Sequence, residues 1–381
     1  MAISQDTAPT QDNASGSNAA HIVLGLESSC DDSAAAILRR SADGTIEVLA
    51  EQVISQNSAH APFGGVVPEI AARAHAERMD QLAADVLDEA GMSPGDLDGI
   101  AATAGPGLIG GVMAALMTAK GIALGADRPL LAINHLEGHA LSPRLTQSVS
   151  FPYLLLLVSG GHTQLVLVEG LGRMTRIGST LDDAAGEAFD KTAKVMELGF
   201  PGGPAVERFA AKSQNPDRFA LPRMLIKDKS ANLSFAGLKT AAKRCWDGLD
   251  TPTDTDRADL SAAVQSAIAR HLAERAGRAM DQVSDRLGDN RVLVIAGGVA
   301  ANAAVRDALQ DAAQERGFTR IAPPARYCTD NAAMIALAGA ERLALGLSDG
   351  LDAPARARWP LDADAAANNP TSGAGRKGPK A

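Results

Sequence analysis

The chain has 381 residues, of which 46% are hydrophobic, 3% aromatic and 21% charged, and its formal net charge is −9. That length allows two domains or one large α/β unit, and the acidic balance argues against an unaided grip on nucleic acid, because phosphate binding needs a local basic surface. Three widely spaced cysteines, Cys30, Cys245 and Cys328, exclude a disulfide framework and suit a reducing compartment.

In chain order, residues 1–20 are polar, lack the basic and apolar regions of a signal peptide, and read as a disordered extension. The longest apolar run, 153–158, is too short to span a bilayer, so a cytoplasmic protein without a membrane partner is expected. The body opens with a strand at 22–27, a polar turn at 28–33 and a second apolar stretch at 34–38. Residues 99–104 read as a buried strand, and Gly105-Pro106-Gly107 leads into a helix over about 108–124. A strand at 130–133 runs into a helix opened by His135. The opening pattern then returns, with strand 154–158, turn 159–163 and strand 164–168. Beyond it come a helix at 184–198 stopped by Pro201-Gly202-Gly203-Pro204, a helical period over 260–287 that fits one helix or two, and a buried strand at 292–296. Helices at 300–316 and 331–345 follow, and 363–381 is a low-complexity tail ending in Arg376, Lys377 and Lys380. Two β-turn-β openings, each starting a half of similar length, suggest a duplicated α/β architecture with parallel sheets and helices on both faces.

Four turns share one design, an apolar strand followed by small or acidic residues: 28–33, 105–111, 159–163 and 297–302. Glycine lets backbone N–H groups approach an anion, and a helix N-terminus adds partial positive charge. Spread over both halves, the four read as a nucleotide cradle, although none has the P-loop or GxGxxG spacing. Asp31 and Asp32 in the first turn suit coordination of a cation at a phosphate, general-base work on an amine, or plain capping of backbone amides. His135 and His139, in His-Leu-Glu-Gly-His, share one helix face and can grip one ion. Their order is not HExxH. Asp330 would complete a two-histidine, one-carboxylate site; the alternative is a pair of surface histidines. His162 either faces a ligand or serves a cap. Asp183, Glu187 and Asp190 fall on one helix face, which is either solvated or places Asp190 on a ribose hydroxyl, with the turn at 199–204 and Asn302 against base or sugar.

The stretches LGLESSCDDSAAAIL, GGVVPEIAARAHAER, AGPGLIGG, NHLEGHALSPRL, LLVSGGHTQLV, STLDDAAGEAFDKTAKV, FPGGPAVER, LSFAGLKTA, IAGGVAAN and YCTDNAAMIA, taken together, resemble the tRNA N6-adenosine threonylcarbamoyltransferase family from about residue 22 to 346. The resemblance implies two RNase H-like lobes of the actin, Hsp70 and sugar-kinase type around a central nucleotide cleft. Lobe I would cover 21–148 with the helix near 331–346, lobe II 149–330, and the low-complexity tail 347–381. It implies transfer of a threonylcarbamoyl group from threonylcarbamoyl-AMP to N6 of the adenosine 3′ of the anticodon in tRNAs reading ANN codons, with release of AMP. It places the metal ligands on His135, His139 and Asp330, usually holding one iron per subunit, with zinc or magnesium as substitutes in vitro. Substrate contacts fall on Leu157, Val158, Ser159, Gly160, Gly161, Asp190, Gly203, Glu207 and Asn302. The chemistry then assigns Asp31 or Asp32 as acceptor of the amine proton. The implied partners are tRNA, an inactive paralogue and a small P-loop ATPase. A metalloprotease acting on glycoproteins is the alternative, carried by the family's older label of O-sialoglycoprotein endopeptidase, and the missing HExxH order speaks against it. An ATP-dependent chaperone or sugar kinase of the same fold would lack the metal ligands.

Overall fold

The computed structural model describes residues 19–63 and 65–368. Nearly all of the predicted extension at 1–20, and the last residues of the predicted tail from 369 on, lie outside the described residues. The first sheet has the order β3-β2-β1-β4-β5, with β1 His21–Glu27, β2 Asp32–Arg40, β3 Ile46–Ser55, β4 Gly99–Gly105 and β5 Leu130–Asn134. β1 takes the centre because it is apolar on both faces: Val23, Leu24 and Leu26 are all fully buried. The second sheet has the order β10-β9-β6-β7-β8, with β6 Tyr153–Val158, β7 Thr163–Gly170, β8 Arg173–Ser179, β9 Val292–Ala296 and β10 Thr319–Ile321.

The two sheets repeat one plan. β1 is antiparallel to β2 and parallel to β4, and β6 is antiparallel to β7 and parallel to β9. The all-parallel sheets expected from strand–helix alternation are therefore corrected to mixed sheets. The physical reason is the short turns after β1, β2, β6 and β7, which leave no room for the crossover helix that a parallel neighbour requires.

The helices of the first half are α1 Asn57–His60, α2 Pro68–Ala76, α3 Met79–Ala90, α4 Ile109–Ala126 and α5 His135–Leu141. Those of the second are α6 Ala185–Val195, α7 Gly202–Ala210, α8 Ala236–Asp247, α9 Asp254–Leu287, α10 Ala303–Gln314, α11 Ala333–Ala344 and α12 Ala363–Asn368. α9 is one unbroken helix of 34 residues, opened by a capping box between Thr253 and Asp256. Pro201, read from sequence as a helix stop, is the residue that begins α7 as its N-cap. By length and composition alone, α4 is the one helix among the described residues that could cross a membrane. Its Ala115, Leu116, Ala119 and Ala123 are packed into the core on one face of the first sheet.

Chain order and packing order then cross. α5 follows the first sheet, yet its Leu136 and Ala140 join the core of the second, with Tyr153, Leu155, Leu157 and Val166. α11 follows the second sheet, yet its Ala336, Leu337 and Ala340 cover the first, with Val23, Ala36 and Leu131. The exchange brings α5 and α11 together. Gly138 makes the approach close: a Cβ there would lie 2.9 Å from Ile335 Cδ1 and 3.1 Å from Met334 Cγ. Gly25 does the same between β1 and α11, where a Cβ would fall 2.5 Å from the carbonyl oxygen of Ala332.

The stretch from 347 to 362, read from composition as tail, runs against both sheets. Asp349 accepts from the N–H of Ala132, and Arg356 donates its N–H to the carbonyl of Ala104. The carbonyl of Trp359 accepts from Asn134 Nδ2, and Asp362 accepts from the N–H of Arg176 in β8.

Candidate metal centre and substrate cleft

The end of β5 sets the first two ligands. Asn134 stops the strand and caps α5, its Oδ1 accepting the N–H of Leu136 at 2.9 Å. The helix therefore begins at His135, and one turn later His139 stands on the same face. Their rings meet edge to face with centroids 4.6 Å apart. The third residue comes from the turn before α11, where Asn331 Oδ1 accepts the N–H of Met334. Asp330 Oδ1 lies 3.1 Å from His139 Nε2 and 3.6 Å from His135 Nε2. The ligand atoms of the three residues all lie within 4.8 Å of one another, and they can hold a metal ion. Two imidazoles and one carboxylate are a donor set that suits a divalent transition metal with open positions. Burial alone would raise the Asp330 carboxyl, but His135 and then His139 hold it well below the usual carboxylate range.

The acidic turn lies against this centre. Burial, then the charges of Asp330 and Asp31, push the Asp32 carboxyl up to about 7. Burial also raises Asp31, and Asp330 adds to the rise. Asp32 Oδ1 is buried with no hydrogen-bond partner among the described residues. A carboxylate that titrates near neutrality with an unengaged oxygen is equipped to take a proton. The Cys30 thiol, raised by burial and by Asp31, stays protonated and is no nucleophile.

Across from it, the turn after β6 presents glycines. Leu157 and Val158 are fully buried and paired in the sheet, so they anchor the turn rather than face the cleft. Ser159 N–H donates to the carbonyl of His162 at 2.8 Å and closes the turn, leaving Gly160 and Gly161 exposed. His162 feels both metal-centre histidines; burial first, then their charge, lowers it to about 3 and keeps it neutral.

The remaining candidates form a second rim. Asp190 Oδ1 accepts the N–H of Gly202 at 2.8 Å, Gly203 follows in the first turn of α7, and Glu207 Oε1 accepts the N–H of Ala303 at 2.8 Å. Asn302 is the N-cap of α10: its Oδ1 accepts from Val305 N–H and its Nδ2 donates to Gln265, so both ends of its amide are engaged. Asp190 is raised mainly by burial, and Asp31 adds to the rise from the other side. The charge of the acidic turn thus reaches this rim.

Sequence reasoning missed three residues. Glu27, Ser29 and Thr103 form a buried polar knot behind His135. The available signal was a carboxylate closing an otherwise apolar buried strand, a placement that calls for a partner.

A family model described as tRNA N6-adenosine threonylcarbamoyltransferase matches residues 47–337. The protein of that name from Maricaulis maris (strain MCS10) is 66% identical over 379 residues, covering 99% of this chain and 100% of its own length. The one from Caulobacter vibrioides is 58% identical over 361 residues, covering 94% and 98%. The chain belongs to the tRNA N6-adenosine threonylcarbamoyltransferase family. This transferase shares its fold with a solved structure of T. kodakarensis HypF, at 13% identity over 87% of this chain and 48% of that one, with a TM-score of 0.56. The two mixed sheets repeat one plan, as the duplicated α/β reading of the sequence expects. The comparisons give the glycoprotease alternative no support.

Proposed function

We propose that the chain transfers the threonylcarbamoyl group of threonylcarbamoyl-AMP to N6 of the adenosine 3′ of the anticodon in tRNAs reading ANN codons, releasing AMP. The observation that carries this reading is the convergence of His135, His139 and Asp330 beside an exposed glycine turn, in a chain 66% identical to a protein of that name. The exocyclic amine attacks the carbamoyl carbon, the carbon–oxygen bond to phosphate breaks, and its electron pair leaves with AMP. The amine proton goes to a carboxylate, and Asp32, raised to about 7 by burial and neighbouring carboxylates, is the candidate we assign. The N–H groups of Gly160 and Gly161 are free to offset charge on the departing phosphate. Leu157 and Val158 would anchor the same turn from the core, with Ser159 lining it and Asp190, Gly203, Glu207 and Asn302 along the nucleoside. The Asn302 amide also caps α10 and binds Gln265, which fixes it at the ligand's edge.

His135, His139 and Asp330 would hold one iron ion, a metal that two imidazoles and a carboxylate suit. When bound, the ion supplies a positive charge that polarises an acyl or phosphoryl oxygen. We assign residues 21–148 with the helix near 331–346 to one lobe and 149–330 to the other, a division supported by the packing of α11 on the first sheet. The acidic surface supports dependence on partners for tRNA, an inactive paralogue and a small P-loop ATPase. Nucleoside analysis of tRNA from cells depleted of this protein tests the reading: the threonylcarbamoyl mark should disappear, and its persistence would refute the proposal.

A further inference from the structure

Glu27 ends β1 and is fully buried. It sits where a carboxylate is costly unless its oxygens are all engaged. Among the described residues, its Oε1 accepts the N–H of Ser29 at 2.6 Å, and its Oε2 accepts from Thr103 Oγ and from His135 Nδ1, the latter at 2.9 Å. Its only ion pair among the described residues is with His135. Ser29 Oγ lies 3.1 Å from the same Nδ1. A carboxylate only accepts, so Nδ1 of His135 carries a proton and Nε2 becomes the atom left for a ligand. Nε2 is the atom that faces Asp330, at 3.6 Å. His139 offers a contrast within the same helix: its Nδ1 is buried with no hydrogen-bond partner among the described residues.

We propose that Glu27 is the positioning residue of the metal centre: it fixes His135 in the Nδ1–H form, aims Nε2 at the ion and raises the basicity of the ring, while Thr103 and Ser29 hold the carboxylate in place. Metal-bound histidines gain orientation and donor strength from such a carboxylate behind them. The arrangement makes the two histidines unequal. His135, which follows β5, is held from behind by residues of two other strands: Glu27 closes β1, and Thr103 in β4 anchors that carboxylate. His139 has no such partner behind its ring among the described residues. The proposal rests on the assignment of His135, His139 and Asp330 as ligands.

The test is a Co²⁺ titration of the purified full-length chain, following affinity and the visible absorption of the bound ion. Wild type is compared with Glu27→Gln, Thr103→Val and His135→Ala. Glu27→Gln should bind about 10–100-fold more weakly and shift the cobalt bands, because a neutral amide leaves the ring a weaker donor. Thr103→Val should shift both in the same direction by less. A residue that only filled space would leave the spectrum of the bound ion unchanged, since glutamine keeps the volume. Wild-type affinity and spectrum in Glu27→Gln, alongside loss of binding in His135→Ala, would overturn this proposal alone. No cobalt binding by wild type would overturn the ligand assignment and this proposal with it. If Glu27→Gln fails to fold, Thr103→Val decides, and wild-type behaviour there refutes the role of the carboxylate.

Discussion

The turn after β1 and the turn after β6 occupy the same place in two copies of one sheet plan, and they carry opposite chemistry. The first is Cys30-Asp31-Asp32; the second is Gly160-Gly161. Burial and neighbouring carboxylates raise both acids of the first, so it can accept a proton near neutral pH. The second has no side chains and leaves its amides to solvent, as an anion site requires. The same holds after the fifth strand of each sheet. β5 runs directly into the helix of His135 and His139, whereas β10 leads through a loop to Asp330 and α11. The repeated plan thus supplies equivalent positions in both sheets, and they carry different chemical groups.

The sharpest way to break this picture is to remove a ligand from either half. Asp330→Ala and His135→Ala should each abolish stoichiometric metal binding and reduce transfer by at least about 10³-fold; normal metal content in either purified variant would separate the two halves. Next in size, Asp32→Asn should slow transfer by about 10²–10⁴-fold, the usual range for a lost general base. In wild type the single-turnover rate should rise with pH toward about 7, where Asp32 titrates. That limb should vanish in the variant, and a bound cation would move it somewhat lower by offsetting the charge of Asp330. A limb unchanged in Asp32→Asn would point to Asp31.

The glycine turn should respond in the other parameter. Gly160 has open space where a Cβ would go, so Gly160→Val should fold normally. It should raise the KM for threonylcarbamoyl-AMP about tenfold or more with less change in kcat, because the side chain occupies the anion's approach. Gly138→Ala tests how the halves are joined. The added methyl meets Ile335 and Met334, and overpacking of this kind costs about 1–3 kcal/mol, so a lowered melting temperature and weaker metal binding should appear together.

The smallest effect is one of pH on the metal-free chain. Burial opposes charge on His135, but Glu27 and then Asp330 raise it from the ordinary 6.5 to about 9. A folded-state value above the unfolded one stabilises fully below about pH 6.5 and is lost as pH rises through about 9. The melting temperature of the metal-free protein should therefore fall over that window, and His135→Ala should flatten the fall. Asp330 works in the opposite sense: its folded value is depressed, so its contribution is present above about 3.8 and lost only on strong acidification.

Much of the site was legible from residue pattern. The pair His135 and His139 is visible because helical spacing needs only local geometry, and the apolar runs of β1, β4, β6 and β9 mark themselves as buried strands. The antiparallel meanders were not legible, since two apolar runs joined by a short turn carry no sign of sheet order. Asn302, read as a ligand residue, also caps α10 and binds Gln265, roles that its local sequence did not announce. Glu27 gave one sign, a carboxylate closing an apolar strand, but its partners were not legible, because a hydrogen bond across 76 or 108 residues leaves no local trace.

The sequence by itself determined the elements, their duplication and the identity of the chemical groups, because propensity, turn chemistry and hydrophobic period act over a few residues. Only the tertiary structure decided that α5 packs on the second sheet and α11 on the first. That exchange is what sets the Asp330 carboxylate against two imidazoles 191 or more residues away. It follows from the matching of apolar faces across the whole molecule, a property no window of sequence contains.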